Sequence, residues 1–298
     1  GRSATTTFID AGSAGAGNFG GLKHFIADNT DLRILGFINI SFAGICGFSK
    51  KKANLFPECE DIRLLDTDEC LEAIEKYRES IVGIKVRIGR YASGSAGMTP
   101  LQIAREVGEE TGLPLMTHLD FPPPDRDEVL NYLRPGDVLT HCFRPFPNAP
   151  LYGNGSIREA VTQARERGII FDLGHGGGSL SFQGSRKMLE QDFLPDTISS
   201  DVHLMSVDGP AFDILVTMSK FLCLGMPLMD VIRASTTRPA EAIQRPDLGN
   251  LQVGSPGDAA VLKIEEGRFE YYDVKKELLL GDKRMIAEKM VVKGKIWR

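Results

Sequence analysis

The 298-residue chain lacks features that would point to nucleic acid or to a membrane. It has no basic stripe: 35 Lys and Arg stand against 40 Asp and Glu, a formal net charge of −5. Phosphate binding needs clustered cations, so nucleic acid is not expected as a partner. The short basic run 50–52 is interpreted as a solvated loop. No segment resembles a signal peptide, and the most apolar long stretch, 212–232, contains Lys220 and two Asp. No membrane span is therefore expected.

The chain also lacks paired cysteines. It has five, scattered and without any CxxC pair: Cys46, Cys59, Cys70, Cys142 and Cys223. In a chain long enough to build its own core, such a set predicts reduced thiols and a cytoplasmic protein. Hydrophobic residues make up 42% and charged residues 25%, which is typical of a globular protein with one large domain or one domain plus a small appendage.

What the sequence does have is an alternation of apolar strands and amphipathic helices. Strand candidates are 6–12, 33–41, 82–89, 113–120, 137–143, 168–176 and 196–203. Helical patterns separate them at 66–81, 99–112, 125–134, 156–168 and 181–193, and a long helical stretch follows at 211–243. This order predicts an α/β fold with parallel strands and right-handed crossovers. A closed (β/α)8 barrel needs eight strands, and a doubly wound open sheet is the rival architecture.

The pattern changes near Arg245 and Pro246. Residues 247–298 contain short alternating strands with Gly and Pro turns and no helical period. We therefore expect a barrel domain over 1–246 and a small β segment over 247–298.

Polar side chains that are costly to bury fall at the C-terminal parts of successive strands. They are Lys85, His118, His141, His175 and Asp201. In a barrel these strand ends converge on the face where the chemistry of this fold is found, so the five side chains are expected to share one pocket. A buried ammonium must be paired, neutral or modified. Lys85 could instead reach solvent if its strand is misplaced.

Two histidines one βα unit apart favour metal ligation by His118 and His141, although a lone buried histidine is often satisfied by a backbone carbonyl. Asp201 is the expected acid–base group, since a carboxylate beside a metal can take the proton of a bound water. His203, like His175, is open between a pocket and a structural role. Arg87 could hold a substrate carboxylate or form a surface ion pair.

A further candidate is the glycine run that follows His175. Gly176, Gly177 and Gly178 could present their amides to an anionic group, although a glycine run alone is a weak signal.

With these residues assembled, the chain resembles the amidohydrolase superfamily of metal-dependent hydrolases, in the deacetylase-like branch near dihydroorotases and isoaspartyl dipeptidases. The matching stretches are "TTTFIDAGSAGAGNF", "GIKVR", "GLPLMTHLDFPPP", "RPGDVLTHCF", "FDLGHGGGSLSF", "PDTISSDVH", "MSKFLCLGMPL", "RPAEAI" and "VGSPGDAAVL". Together they span almost the whole chain.

The resemblance implies a (β/α)8 barrel with a small β-sandwich built from both chain ends. It implies that Lys85 is carboxylated and bridges two divalent metals, that His118 and His141 bind one metal, and that Asp201 is a ligand and general base. His175 would line the substrate side. Zinc is the expected metal, with two ions per site in the complete protein, and manganese, iron and cobalt stay open.

One departure from the family pattern qualifies this expectation. The first strand of the superfamily carries an HxH pair, and no HxH occurs in these 298 residues. The first strand and the N-terminal half of the sandwich are therefore expected to be absent from the chain.

The leading hypothesis is a deacetylase-like hydrolase that cleaves an amide or ester bond of a small acylated carboxylate. The alternatives are an inactive or truncated relative and a Schiff-base lyase that uses Lys85. A homo-oligomer is expected by analogy only.

Overall fold

The computed structural model of the protein describes residues 1–47 and 55–297, and the basic run 50–52 lies outside them. The chain divides into two compact units. The first, here called the sheet unit, comprises Thr7–Thr140 and Gln163–Ile170. The second, here called the hairpin unit, comprises Gly1–Thr6, His141–Thr162 and Phe171–Arg298. These two units do not correspond to the predicted domains 1–246 and 247–298, and the boundary at 246 stays a prediction.

The described residues contain a six-stranded parallel sheet. Its strands are β1 (Thr7–Asp10), β2 (Arg33–Asn39), β3 (Ile81–Ile88), β4 (Leu115–Leu119), β5 (Val138–Leu139) and β6 (Ile170–Phe171). Their order in the sheet is β1-β2-β3-β4-β5-β6, the same as along the chain. A doubly wound sheet reverses its strand order at a switch point, whereas a barrel adds each strand to the last. The order therefore favours a barrel over the doubly wound alternative, and closure into eight strands remains a prediction.

The seventh predicted strand, 196–203, forms only one parallel bridge, between Asp172 and Thr197. The N–H groups of Leu173 and His175 nevertheless donate to Thr197 and Ser199 carbonyls at 2.9 and 3.1 Å. The segment 196–203 therefore runs parallel to residues 172–175 within the hairpin unit, but its hydrogen bonds do not continue far enough to form a β-strand.

The helices follow the predicted alternation. They are α1 (Phe19–Phe25), α2 (Thr67–Lys76), α3 (Thr99–Thr111), α4 (Arg126–Tyr132), α5 (Glu159–Glu166), α6 (Phe182–Leu189), α7 (Ile214–Cys223), α8 (Leu228–Ala234) and α9 (Thr237–Ala242). Asp66, Asp125 and Ser181 cap the N-termini of α2, α4 and α6, each accepting a hydrogen bond from the N–H three residues on. Among the residues that the structure describes, no helix has the length and apolarity needed to cross a bilayer.

The core of the sheet unit is centred on β3. Every residue of this strand is buried, as expected of a parallel strand that is covered on both faces. Helix α3 packs on β3 and β4 through Leu101, Ala104 and Val107, which recur at helical spacing and are at most 1% exposed. This packing fixes the strand that carries Lys85.

The C-terminal β segment differs from its prediction in strand length. It contains an antiparallel sheet of β7 (Ala259–Tyr272), β8 (Leu278–Val292) and the short β9 (Lys295–Ile296). The two main strands have 14 and 15 residues rather than the expected short runs. Register shifts, including one near Glu266, interrupt their alternation, which is why the sequence pattern looks like shorter pieces.

Candidate functional site

In the sheet unit, three of the predicted side chains share one face of the sheet. Arg87 of β3 pairs in register with His118 of β4, and Lys85 pairs with Asn39 of β2 and Met116 of β4. Residues two apart on a strand point to the same face, and in-register neighbours of a parallel sheet do too. Lys85, Arg87 and His118 therefore lie on the same face near the C-terminal end of β3 and β4.

Lys85 is buried, with 4% of its surface exposed, so the alternative in which it reaches solvent is wrong. Gly12, two residues after β1, packs directly on its side chain. A Cβ on Gly12 would lie 2.3 Å from both Cβ and Cγ of Lys85. Gly12 has a φ of +86°, a conformation that favours glycine. The missing side chain at position 12 is thus what makes room for Lys85.

Arg87 forms a buried ion pair with Glu58, a partner that the sequence analysis did not identify. Its Nη1 donates to the two carboxylate oxygens at 2.9 and 3.1 Å. The side chains are 6% and 1% exposed, which excludes the predicted surface ion pair.

Burial and the neighbouring Glu58 raise the pKa of the Cys59 thiol to about 12, so this thiol stays protonated at neutral pH.

In the hairpin unit, His141 has a left-handed backbone, with φ of +63°. Its Nδ1 lies 2.7 Å from the Gly174 carbonyl oxygen. A carbonyl can only accept, so the proton is on Nδ1 and the lone pair is on Nε2. Histidines that bind metals typically donate their other ring N–H to a carbonyl in this way. The donor chemistry of His141 therefore fits a metal ligand.

Asp201 also has a left-handed backbone, with φ of +44°. Its carboxylate lies against Gly176, since a Cβ at that position would be 2.3 Å from Oδ2. The Ser206 hydroxyl donates to the Asp201 carbonyl at 3.2 Å. Non-glycine residues in this conformation are strained and cluster at functional sites. The backbone, held by its neighbours, thus sets where the carboxylate points.

His203 lies beside the same turn. The nearest atoms to a Cβ on Gly177 are those of the His203 ring, at 3.7 and 3.9 Å. The Met205 N–H donates to Nδ1 of His203 at 3.2 Å, which places the proton of the neutral ring on Nε2. The structure therefore brings together Gly176, Gly177, Asp201 and His203. The Gly176 amide differs from its prediction, because it donates to the Ser200 carbonyl at 3.0 Å rather than facing an anion.

His175 is fully buried, with no exposed surface. Its Nδ1 lies 2.9 Å from the Gly176 carbonyl and its Nε2 lies 2.7 Å from Nζ of Lys220 on α7. Both ring nitrogens are thus engaged inside the hairpin unit, which does not match the expected position facing substrate. Burial and the Lys220 charge lower the pKa of His175 to about 4. The sequence held one signal for this pair: Lys220 is the one charged residue of α7.

Across the part of the chain that the structure describes, no three His, Cys, Asp or Glu side chains form a group that could hold a metal ion. None of the five cysteines, all of which lie among the described residues, forms a disulfide.

Similarity to known proteins bears on the chemistry of these residues. No protein-family model matches the chain. It is 36% identical over 268 residues to a protein named deacetylase from Brucella anthropi, an alignment that covers 90% of this chain and 65% of that protein. A protein named deacetylase from Enterococcus faecalis is 32% identical over 269 residues, with 89% of this chain and 70% of the relative covered. The chain thus spans about two thirds of the length of the curated relatives it matches.

Solved structures with similar sequences share the fold of this chain. The fold matches a structure described as an adenine deaminase with a TM-score of 0.92 and 30% identity, covering 98% of this chain and 78% of that one. It matches a structure described as a dihydroorotase with a TM-score of 0.89 and 32% identity, covering 99% and 80%. The chain belongs to the amidohydrolase superfamily. This confirms the resemblance inferred from the sequence and places the strands described above in an amidohydrolase framework, whose enzymes generally use divalent metals.

The packing of Gly12 on Lys85 gives a first prediction. Gly12→Ala should lower the free energy of unfolding by about 2 kcal/mol, because the new methyl group meets the Lys85 stem and the backbone conformation disfavours alanine. Urea denaturation measures the change. The control is Gly21→Ala, since no atom lies within 4 Å of a Cβ there. Equal stability of the two variants would contradict the packing.

The buried ion pair gives a second prediction. Glu58→Gln removes the charge that compensates Arg87 in a buried environment, so the free energy of unfolding should fall by about 3 kcal/mol. Glu60→Gln, at an exposed position close by, should change it by less than about 0.5 kcal/mol. A loss in Glu58→Gln no larger than in this control would show that the pair contributes nothing to stability.

The buried His175 gives a pH dependence. Its pKa of about 4 in the folded protein lies below the ordinary 6.5, so the unfolded chain binds a proton that the folded chain excludes. The neutral His175 therefore makes its full contribution to the free energy of unfolding above pH 6.5, and this contribution is lost as the pH falls towards 4. The Tm of wild type should therefore fall across this window more steeply than the Tm of His175→Gln.

The control for that measurement is His24→Gln, because the His24 side chain is 64% exposed. This variant should keep the wild-type slope. Parallel curves for wild type and His175→Gln would refute the assignment.

Proposed function

We propose that the protein is a hydrolase that cleaves an amide or ester bond of a small acylated carboxylate, as a deacetylase does. The observation that carries this is the Asp201 carboxylate, held by a left-handed backbone against the bare Gly176 with His203 beside the same turn. A fixed carboxylate next to a histidine is suited to moving a proton during acyl transfer. The names of the curated relatives, all deacetylases, support the reaction class.

Lys85, His118, His141 and Asp201 are the proposed metal ligands. Carboxylation of Lys85 would replace a buried cation by an anionic ligand, which removes the cost of burying an ammonium on the sheet face. The His141 tautomer, with its proton donated to Gly174, supports the assignment. A divalent metal, with two zinc ions as the expected content of the site, would polarise the scissile carbonyl and lower the pKa of the attacking water when bound.

The residues of the chain would carry the proton transfers. Asp201 takes a proton from the water that attacks the acyl carbon. It then delivers that proton to the nitrogen or oxygen that leaves when the acyl bond breaks. His203 presents its Nε2–H as a donor to a substrate oxygen. Gly176 and Gly177 contribute by having no side chain, so that substrate can approach Asp201 closely.

Arg87 is the proposed contact for the substrate carboxylate. Because Glu58 already compensates its charge, a substrate carboxylate would have to share the guanidinium with Glu58 or displace it. His175 does not belong to this proposed set, since both of its ring nitrogens are engaged within the hairpin unit.

The proposal is tested by the release of acetate from a panel of N-acetyl amino acids and O-acetyl hydroxy acids, with zinc supplied. Asp201→Asn should lower kcat by about a thousandfold, because an amide cannot take the proton. Asp208→Asn is the matched control, an exposed aspartate in the same segment, and should leave kcat unchanged.

Two outcomes would overturn the proposal. No hydrolysis of any member of the panel by wild type would favour an inactive relative. Trapping of a substrate carbonyl on Lys85 by borohydride would favour the Schiff-base lyase, because a carboxylated lysine cannot form an imine.

A further inference from the structure

Lys220 is a buried cation that the proposed reaction does not use. It lies on α7 with 1% of its surface exposed. Its Nζ contacts three acceptors: Nε2 of His175 at 2.7 Å, the Pro210 carbonyl at 2.7 Å and the Tyr272 carbonyl at 2.8 Å. An ammonium has three N–H donors, so each donor has one acceptor. Three acceptors around one Nζ suit the ammonium form and are held by the hairpin unit, while burial lowers the pKa of Lys220 to about 7.

This arrangement fixes the tautomer of His175. Nε2 accepts from Lys220, so the ring proton is on Nδ1, which donates to the Gly176 carbonyl at 2.9 Å. The opposite tautomer would place the Nδ1 lone pair against a carbonyl oxygen and the Nε2–H against an ammonium. Lys220 thus favours the tautomer in which the ring donates to Gly176, and the Gly176 carbonyl requires the same one.

Gly176 is consequently held through both of the peptide groups that flank it. Its N–H donates to the Ser200 carbonyl at 3.0 Å and its C=O accepts from His175. The Asp201 carboxylate lies on its Cα, where a Cβ would be 2.3 Å from Oδ2. Movement of this peptide towards Asp201 would displace the carboxylate, and movement away would leave it without its contact surface.

We propose that Lys220 is a positioning residue for Asp201, acting through His175 and Gly176. This rests on the proposed role of Asp201 in proton transfer. Lys220 touches no reacting atom. It holds the peptide against which the catalytic carboxylate is packed, and a displacement of about 1 Å there is enough to slow a proton transfer.

The first test is Lys220→Met, which keeps the length of the side chain and removes all three donors. With the N-acetyl amino acid that wild type hydrolyses fastest, kcat should fall at least tenfold while KM changes less than twofold. Lys187→Met is the matched control, since the Lys187 side chain is 53% exposed and forms an ion pair with Glu190 on the surface. It should leave both constants unchanged. An unchanged kcat in Lys220→Met overturns the proposal.

The second test separates positioning from stability. His175→Phe leaves Lys220 charged beside an apolar ring, so it should lower Tm, as should Lys220→Met. The double variant replaces the buried polar pair by an apolar pair and should regain much of the lost Tm. If Lys220 acts through His175, kcat of the double variant should stay as low as in either single variant. Recovery of kcat together with Tm, or multiplication of the two losses in kcat, would overturn the proposal.

A third measurement does not depend on activity. The chain has five histidines, so their ring ¹⁵N signals can be assigned by substitution. In wild type His175 should show a protonated Nδ1 and an acceptor Nε2 at neutral pH, and Lys220→Met should move the Nε2 signal. If wild type hydrolyses nothing, the proposed function fails, while this signal still reports on the Lys220–His175 bond. An unchanged signal in Lys220→Met refutes the bond, and with it the positioning role.

Discussion

The fold of this protein depends on finding partners for the cationic side chains that it buries. An isolated charge in a protein interior costs far more than a hydrogen bond returns, so each such group constrains its surroundings. Arg87 is compensated by Glu58. Lys220 donates to His175 and two carbonyls, and the Asp273 carboxylate favours its charged form. For Lys85 the proposed compensation is chemical, through carboxylation. These requirements fix the loop that carries Glu58, the turn at Gly176 and the packing of α7.

Backbone conformation then aims the polar groups. His141 and Asp201 both have positive φ values, which side chains adopt only when the surrounding structure holds them there. Glycines supply the space beside them: Gly12 lies on Lys85 and Gly176 lies on Asp201. A methyl group at either glycine would overlap with Lys85 or Asp201. Gly12 and Gly176 therefore leave the space that these two side chains occupy.

The fold of this chain does not by itself determine the substrate. Structures described as an adenine deaminase and a dihydroorotase both match the chain with TM-scores near 0.9, and the curated relatives are named deacetylases. One framework thus accompanies differently named activities, because substrate choice resides in loops attached to it. Under the proposed role of Arg87, Glu58 is a loop residue that would alter the charge presented to a substrate.

The sequence by itself determined the alternation of strands and helices and the places of Lys85 and His118 on the neighbouring strands β3 and β4. These follow from local periodicity and from the rule that strand ends meet. Only the tertiary structure decided that Arg87 pairs with Glu58, that Gly12 packs on Lys85 and that His175 turns to Lys220. These contacts join residues that are far apart in the sequence, from 29 positions for Glu58 and Arg87 (87 − 58) to 73 positions for Gly12 and Lys85 (85 − 12). No local pattern encodes such partners, because they are selected by packing and by the cost of leaving a buried charge uncompensated.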